Sequence, residues 1–417
     1  MLAEPQIDTK LKHRSFHGVV SVLFAIITGS LAALVVYTAP QYSFGSELFR
    51  NEIIAPTASN FSAPLSNSGK TSERRQIIGF LPYWAVGNKA KVYPEYMDQI
   101  IYFGLTMDSS GTLLKKDKNG NSLPEWNSLN TSYFQKLKAD SKQTNTKILI
   151  AIKNFNNDEI NTLISNPSSV RTGINEIKEI VEKYDFDGVN IDFEYVTRSD
   201  FPTQKFYNQF LKILADELRS EKADIIISFD VNATAVYTDM AYDMVKIGDT
   251  VDQVIIMGYD YYQPSSTKAG PVAPIEMPDN SPSLTKTLNS LKGRVEPEKL
   301  ILGIPLYGHE WRTISDKYQS EVVPDTGAIA TYKRVRELIA NKETVSIHYD
   351  SYSKSPWLTY RQNGQIKQIY YEDEKSIESK IEFIHERDLG GIALWALGYE
   401  GDYIEPWIML KEGVWQE

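Results

Sequence analysis

From Arg75 onward, eight short apolar runs of strand-like composition alternate with amphipathic stretches of helical period, an order that points to βαβ units around a parallel sheet. The runs are Gln76 to Leu81, Gln99 to Leu105, Lys147 to Ile152, Gly188 to Phe193, Asp224 to Phe229, Gln253 to Met257, Leu300 to Leu306 and Gly391 to Trp395. Eight of them predict an α/β fold of the closed (β/α)8 TIM barrel type over 76–417. Between them, Ile174, Ile177, Ile180, Val181 and Tyr184 recur at helical spacing, as do Phe206, Phe210, Leu211, Leu214 and Leu218, each set just ahead of a strand candidate. The interval after the seventh run is roughly eighty residues, too long for a simple connection. It predicts a small α+β insertion subdomain at about 308–385, with a helix near Tyr332 to Ala340. A hairpin is expected where Trp357 to Tyr360 and Ile366 to Tyr370 flank Asn363-Gly364. Such an insertion would stand beside the C-terminal mouth of the barrel and deepen its cleft.

Composition excludes several classes of function. A formal net charge of −10 argues against nucleic acid, because a polyanion is held by a dense Lys/Arg surface. With no cysteine there is no disulfide, thiolate metal site or Cys nucleophile. The five His residues, His13, His17, His309, His348 and His385, lack ligand spacing, so no metal and no cofactor is expected. The 25 Tyr and 7 Trp suit sugar-stacking surfaces, although a large core would use most of them.

The N-terminal region reads separately. Residues 18–37 carry no charge and are long enough to cross a bilayer as one transmembrane helix. Lys10, Lys12 and Arg14 precede this run, which predicts a cytoplasmic tail at 1–17, an anchor at 18–37 and a catalytic domain outside the cell. A cleaved signal peptide, giving a secreted protein, is the competing reading. The small-x-small pattern of a cleavage site is poor near Tyr37-Thr38-Ala39-Pro40. Residues 38–75, rich in Ser, Asn, Ala and Pro, read as a flexible linker.

The fourth run carries the chemistry. In Phe186-Asp187-Gly188-Val189-Asn190-Ile191-Asp192-Phe193-Glu194, a strand's period of two sends Val189, Ile191 and Phe193 to one face and Asn190, Asp192 and Glu194 to the other. Two carboxylates one strand repeat apart, roughly 6 to 7 Å, repel each other and push up the pKa of one of them. Such a pair suits acid/base chemistry. Other strand ends are polar or aromatic too: Ser228, Asp230 and Asn232 on the fifth, Met257, Tyr259 and Tyr261 on the sixth, Trp395 on the eighth. In a barrel these ends converge on one acidic, aromatic pocket.

Taken together, these residues resemble glycoside hydrolase family 18, the chitinase family, whose fourth strand carries Asp-x-x-Asp-x-Asp-x-Glu. Here that motif stands as Asp187, Asn190, Asp192 and Glu194; the sixth-strand Met-x-Tyr-Asp is Met257-Gly258-Tyr259-Asp260, and the eighth-strand Trp is Trp395. The resemblance extends from about Gln76 to the C-terminus, insertion included. It implies that Glu194 is the general acid and later the base, and that the 2-acetamido oxygen of the substrate, rather than a second carboxylate, attacks the anomeric carbon. Asp192 would then orient the acetamide N–H, Tyr259 would donate to the acetamide oxygen, and Trp395 would floor the reacting subsite. Met257, Asp260, Asn190, Asp187 and Tyr83 would line the substrate site, with Trp84 beside them. The bland alternatives are a core role for Tyr259 or Trp395 and packing alone for Met257.

Two departures from the family pattern stand out. Asn190 takes the place of the usual Asp, which predicts retained activity with a shifted pH profile. The third-strand Ser-x-Gly-Gly is replaced by Ile150-Ala151-Ile152-Lys153-Asn154-Phe155, and the sequence leaves open whether Lys153 enters the pocket or faces solvent. Asn190 and the Tyr370 to Asp373 stretch resemble the spore-cortex and cell-wall lytic branch. That resemblance, with a tether to the envelope, implies cleavage of peptidoglycan at N-acetylglucosamine. A chitinase acting on chito-oligosaccharides and a catalytically inactive, lectin-like sugar binder are the alternatives.

Overall fold

The structure, a computed structural model, describes residues 74–195, 202–237, 241–341 and 345–415. The expected tail and anchor, and nearly all of the expected linker, lie outside the described residues. Among those described, no helix is long and apolar enough to cross a membrane.

Eight parallel strands close into a barrel: β1 (Gln76–Pro82), β2 (Gln99–Thr106), β3 (Lys147–Asn154), β4 (Gly188–Phe193), β5 (Ile226–Asn232), β6 (Gln253–Met257), β7 (Leu300–Pro305) and, after the insertion, β13 (Gly391–Trp395), which pairs with both β7 and β1. The helices between them start where the sequence supplies caps. Asn156 accepts from the N–H groups of Asp158 and Glu159 at the start of helix Asn157–Ser165. Asn166 does the same ahead of helix Pro167–Tyr184, with Pro167 at its first position. The apolar faces of Pro167–Tyr184 and of helix Thr203–Glu221 turn onto the outside of the barrel, where Val189, Ile191 and Phe193 meet them.

The lumen is built differently around its circumference. On the side of β1, β2, β3, β6, β7 and β13 it is filled by Ile78, Phe80, Ile101, Phe103, Leu149, Ala151, Ile255, Ile301 and Ala393. On the side of β4 and β5 the inward residues are Asn190, Asp192, Ser228 and Asp230, all buried. Placing polar groups there costs solvation, and it confines the chemistry to one wall of the barrel.

At the opposite, N-terminal end of the strands a repeated device pins alternate strand pairs. Asp98, Asp187 and Asp252 each precede or open a strand, and each accepts a 2.8 Å hydrogen bond from a backbone N–H of the preceding strand, those of Ile77, Ile148 and Ile227. In return, the N–H of each aspartate donates to the carbonyl of the same residue at 2.8 to 2.9 Å.

The insertion after β7 is a five-stranded antiparallel sheet in the order β10-β11-β12-β8-β9, formed by β8 (Tyr307–Thr313), β9 (Ala328–Thr331), β10 (Ser346–Asp350), β11 (Ser355–Gln362) and β12 (Gln365–Tyr370), with helix Tyr332–Asn341 between β9 and β10. The expected hairpin is β11–β12. Asn363 and Gly364 turn it with φ of 51° and 76°, values that Asn and Gly tolerate best. The sheet ends at Tyr370, earlier than the boundary near 385. Helix Glu374–Glu386, opened by a capping box between Asp373 and Ser376, packs on β13 and the C-terminal helix Glu405–Val414 and so belongs to the barrel.

Candidate active site

The C-terminal ends of β4, β5 and β6, with the start of β8, assemble the acidic part of the site. Asn190 donates through Nδ2 to Ser228 Oγ at 3.0 Å and to Asp230 Oδ1 at 2.7 Å. Above it, Asp192 is 3% exposed, and its Oδ1 has no hydrogen-bond partner among the described residues. Burial raises its carboxyl to about 7, while Lys153 pulls the other way. Glu194 follows just past the end of β4, where its N–H bonds the Asn154 carbonyl at 2.9 Å. Burial first, then the negative charges of Asp192 and Asp260, hold its carboxyl well above the ordinary carboxylate range, so it keeps a proton to give. Asp230 is raised likewise by burial and by Asp192.

Tyr242 secures the strand end: its hydroxyl donates to the Phe193 carbonyl at 2.9 Å and accepts from the Tyr195 N–H at 3.2 Å. Sequence reading passed over this residue, which lies in a loop without any pattern.

On β6, Gly258 separates Met257 from Tyr259, and a Cβ there would come within 2.6 Å of the Gly303 carbonyl oxygen. Glycine allows that approach, which lets β6 hug β7 while Tyr259 faces the acids. The phenol of Tyr259 is pushed well up by burial and by Asp230, Asp260, Glu194 and Asp192, which keeps it a neutral hydrogen-bond donor. Asp260, at φ 59°, accepts from the Tyr307 hydroxyl at 2.6 Å and lies 3.0 Å from His309 Nε2. Both partners come from β8, so the insertion supplies part of the site wall.

The opposite wall is aromatic. Trp395, partly buried at the end of β13, lies 4.7 Å edge-on from Phe103, 5.7 Å from Phe80 and 6.3 Å from Trp84; Tyr83 meets Trp84 at 4.9 Å. A ring held by three neighbours and only partly buried can serve as a stacking platform.

The structure therefore brings Asn190, Asp192, Glu194, Met257, Tyr259, Asp260, Trp395 and Tyr83 to one end of the barrel. Asp187 stands apart. It precedes β4 at the far end, bonded to the Ile148 N–H and 3.5 Å from Lys147, and the strand's own length separates it from Glu194. Its expected place in the substrate site is corrected by the direction of the strand. Lys153 enters the lumen, in register with Asp192. Glu125, which carried no signal in the sequence, is buried nearby and acts electrostatically on both Lys153 and Tyr83. Among the described residues no cluster of acidic or histidine side chains could hold a metal.

The family model described as Glycosyl hydrolases family 18 matches residues 76–400. The chain belongs to glycosyl hydrolases family 18. Among similar proteins is one of Bacillus subtilis (strain 168) named as a sporulation-specific glycosylase, YdhD. It is 28% identical over 62% of this chain and 57% of its own length. The cortical fragment-lytic enzyme of the same organism is 26% identical over 66% of this chain and 62% of its own. The chain thus spans less than two thirds of the length of these two relatives. Among solved structures, an Ostrinia furnacalis Group IV chitinase superimposes with a TM-score of 0.70 at 18% identity, covering 82% of this chain and all of that one. The Bacillus cereus spore cortex-lytic enzyme SleL gives 0.64 at 22% identity, over 82% of this chain and 75% of that one. These likenesses show the barrel fold.

Proposed function

We propose that this family 18 member is a glycosidase that cleaves β-1,4 bonds at N-acetylglucosamine with retention of configuration, and that its substrate is peptidoglycan. The observation that carries the reading is the pair of lumen-facing acids at the end of β4, one holding its proton and the other offering an unpartnered oxygen. Glu194 protonates the glycosidic oxygen and, after departure of the leaving group, accepts a proton from water. Asp192 Oδ1 receives the acetamide N–H and stabilises the positive charge that develops as the acetamide oxygen closes on the anomeric carbon. Tyr259 donates to that oxygen, and Trp395 stacks under the sugar. Preference for peptidoglycan rests on the similarity to a sporulation glycosylase and a cortical fragment-lytic enzyme. The apolar run 18–37, preceded by Lys10, Lys12 and Arg14, supports anchoring in the membrane with the barrel outside the cell, beside such a wall.

The test is parallel digestion of purified peptidoglycan and chitin by the full chain, with mass analysis of the products. New reducing-end N-acetylglucosamine from peptidoglycan alone is the expected result; release from chitin alone makes the enzyme a chitinase. Glu194→Gln is expected to lower kcat by roughly 10²- to 10⁴-fold. If neither the wild-type chain nor the variant releases product while both bind glycan, the protein is a lectin-like binder.

A further inference from the structure

The mechanism above makes no use of Lys153, the inward-facing residue near the end of β3. Leu149 and Ala151 point into the lumen, and the strand's period of two sends Lys153 to the same side. Its ammonium lies 5.1 Å from the ring centre of Phe103 and 5.8 Å from that of Phe155. Phe103 in turn abuts Trp395, so the charge stands at the border of the stacking platform. Among the described residues Lys153 has no ion pair or hydrogen bond; Asp192 and Glu125 act on it only through space. Burial pushes its pKa down, as expected for a cation that has lost part of its hydration without gaining a direct partner.

Such a cation gains most from an anion that arrives with the ligand. The surroundings make that gain selective. Asp260 and, once ionised, Asp192 place negative charge in the cleft, and a glycan carrying carboxylates would be repelled from it unless a positive charge met those groups locally. A neutral chito-oligosaccharide needs no such charge.

We propose that Lys153 is a specificity residue for acidic glycans, its ammonium pairing with a carboxylate on the bound strand such as the free lactyl group of an N-acetylmuramic acid that carries no stem peptide. This rests on the reading of the cleft as a glycan-cleaving site and names the substrate chemistry it selects.

The experiment measures binding and turnover separately. The full chain carrying Glu194→Gln is titrated, by tryptophan fluorescence, with a four-sugar peptidoglycan fragment freed of its stem peptides, the lactyl methyl ester of that fragment and chitotetraose. The acid is expected to bind roughly tenfold more tightly than the ester, a ratio equivalent to about 1.4 kcal/mol. Adding Lys153→Gln brings that ratio close to one, and Lys153→Arg keeps it. Equal affinity for acid and ester with Lys153 in place overturns the proposal. So does a ratio that survives Lys153→Gln while all three ligands weaken together, which would assign the lysine to holding Asp192. Turnover by the wild-type chain reports independently: an intact ratio without product removes the hydrolase reading and leaves the role of Lys153 standing.

Discussion

Asn190 on β4 and Asp230 on the neighbouring β5 are joined by a 2.7 Å hydrogen bond in which the amide donates and the carboxyl accepts. An amide at 190 keeps one negative charge away from the floor beneath Asp192, on a wall that already holds Asp230 and, above it, Glu194.

Asn190→Asp would restore that charge. Neighbouring carboxyls disfavour each other's ionised forms, so Asp192 and Glu194 would both titrate later. The kcat/KM profile is expected to move to higher pH by roughly one unit. Rate against pH for the two proteins checks this, and a shift toward acid would contradict it.

Asp192→Asn is expected to trade activity for stability. Burial, partly offset by Lys153, raises the folded-state carboxyl to about 7. Between the unfolded carboxylate value near 4 and that figure, the folded chain retains a proton the unfolded chain has released. Stability therefore falls as pH rises through this window, and the penalty is complete above it. The substitution should stabilise by on the order of 4 kcal/mol at about pH 8 and by almost nothing near pH 4. Denaturant melts at the two pH values measure the difference.

Asp187→Ala should act on the fold alone. Loss of the acceptor for the Ile148 N–H costs about 1 to 2 kcal/mol and leaves kcat of the folded protein intact. A large fall in kcat at full folding would return Asp187 to the site.

Tyr307→Phe removes the 2.6 Å donor to Asp260 while keeping the ring that packs on Tyr259, His309 and Tyr399. With the carboxylate less firmly held beside the acids, kcat/KM should drop about tenfold, the equivalent of one charge-assisted hydrogen bond. Unchanged kinetics would limit the insertion to shaping the cleft.

Much of the site could be read without coordinates, because a barrel strand translates sequence into direction. Alternation around Asp192 names the lumen face, and position along the strand names the end. Asp187 shares the motif, yet it precedes the strand and therefore lies at the other mouth. Asp98 and Asp252, which make the same bond, offered the signal. The insertion was legible as a helix and a hairpin. Its remaining strands were not, since β8 follows β7 without a turn signal and β9 spans only Ala328–Thr331.

The sequence alone determined the eight-fold alternation, the inward pair at 192 and 194, and the aromatic and acidic character of one barrel end, because these follow from periods of two and of roughly four along a single chain. Tertiary structure decided which charges face that pair. Lys153, Glu125, Tyr307 and His309 come from other strands and from a short helix, and whether they reach Asp192, Glu194 or Asp260 depends on closure of the barrel and seating of the inserted sheet, distances that no local pattern encodes.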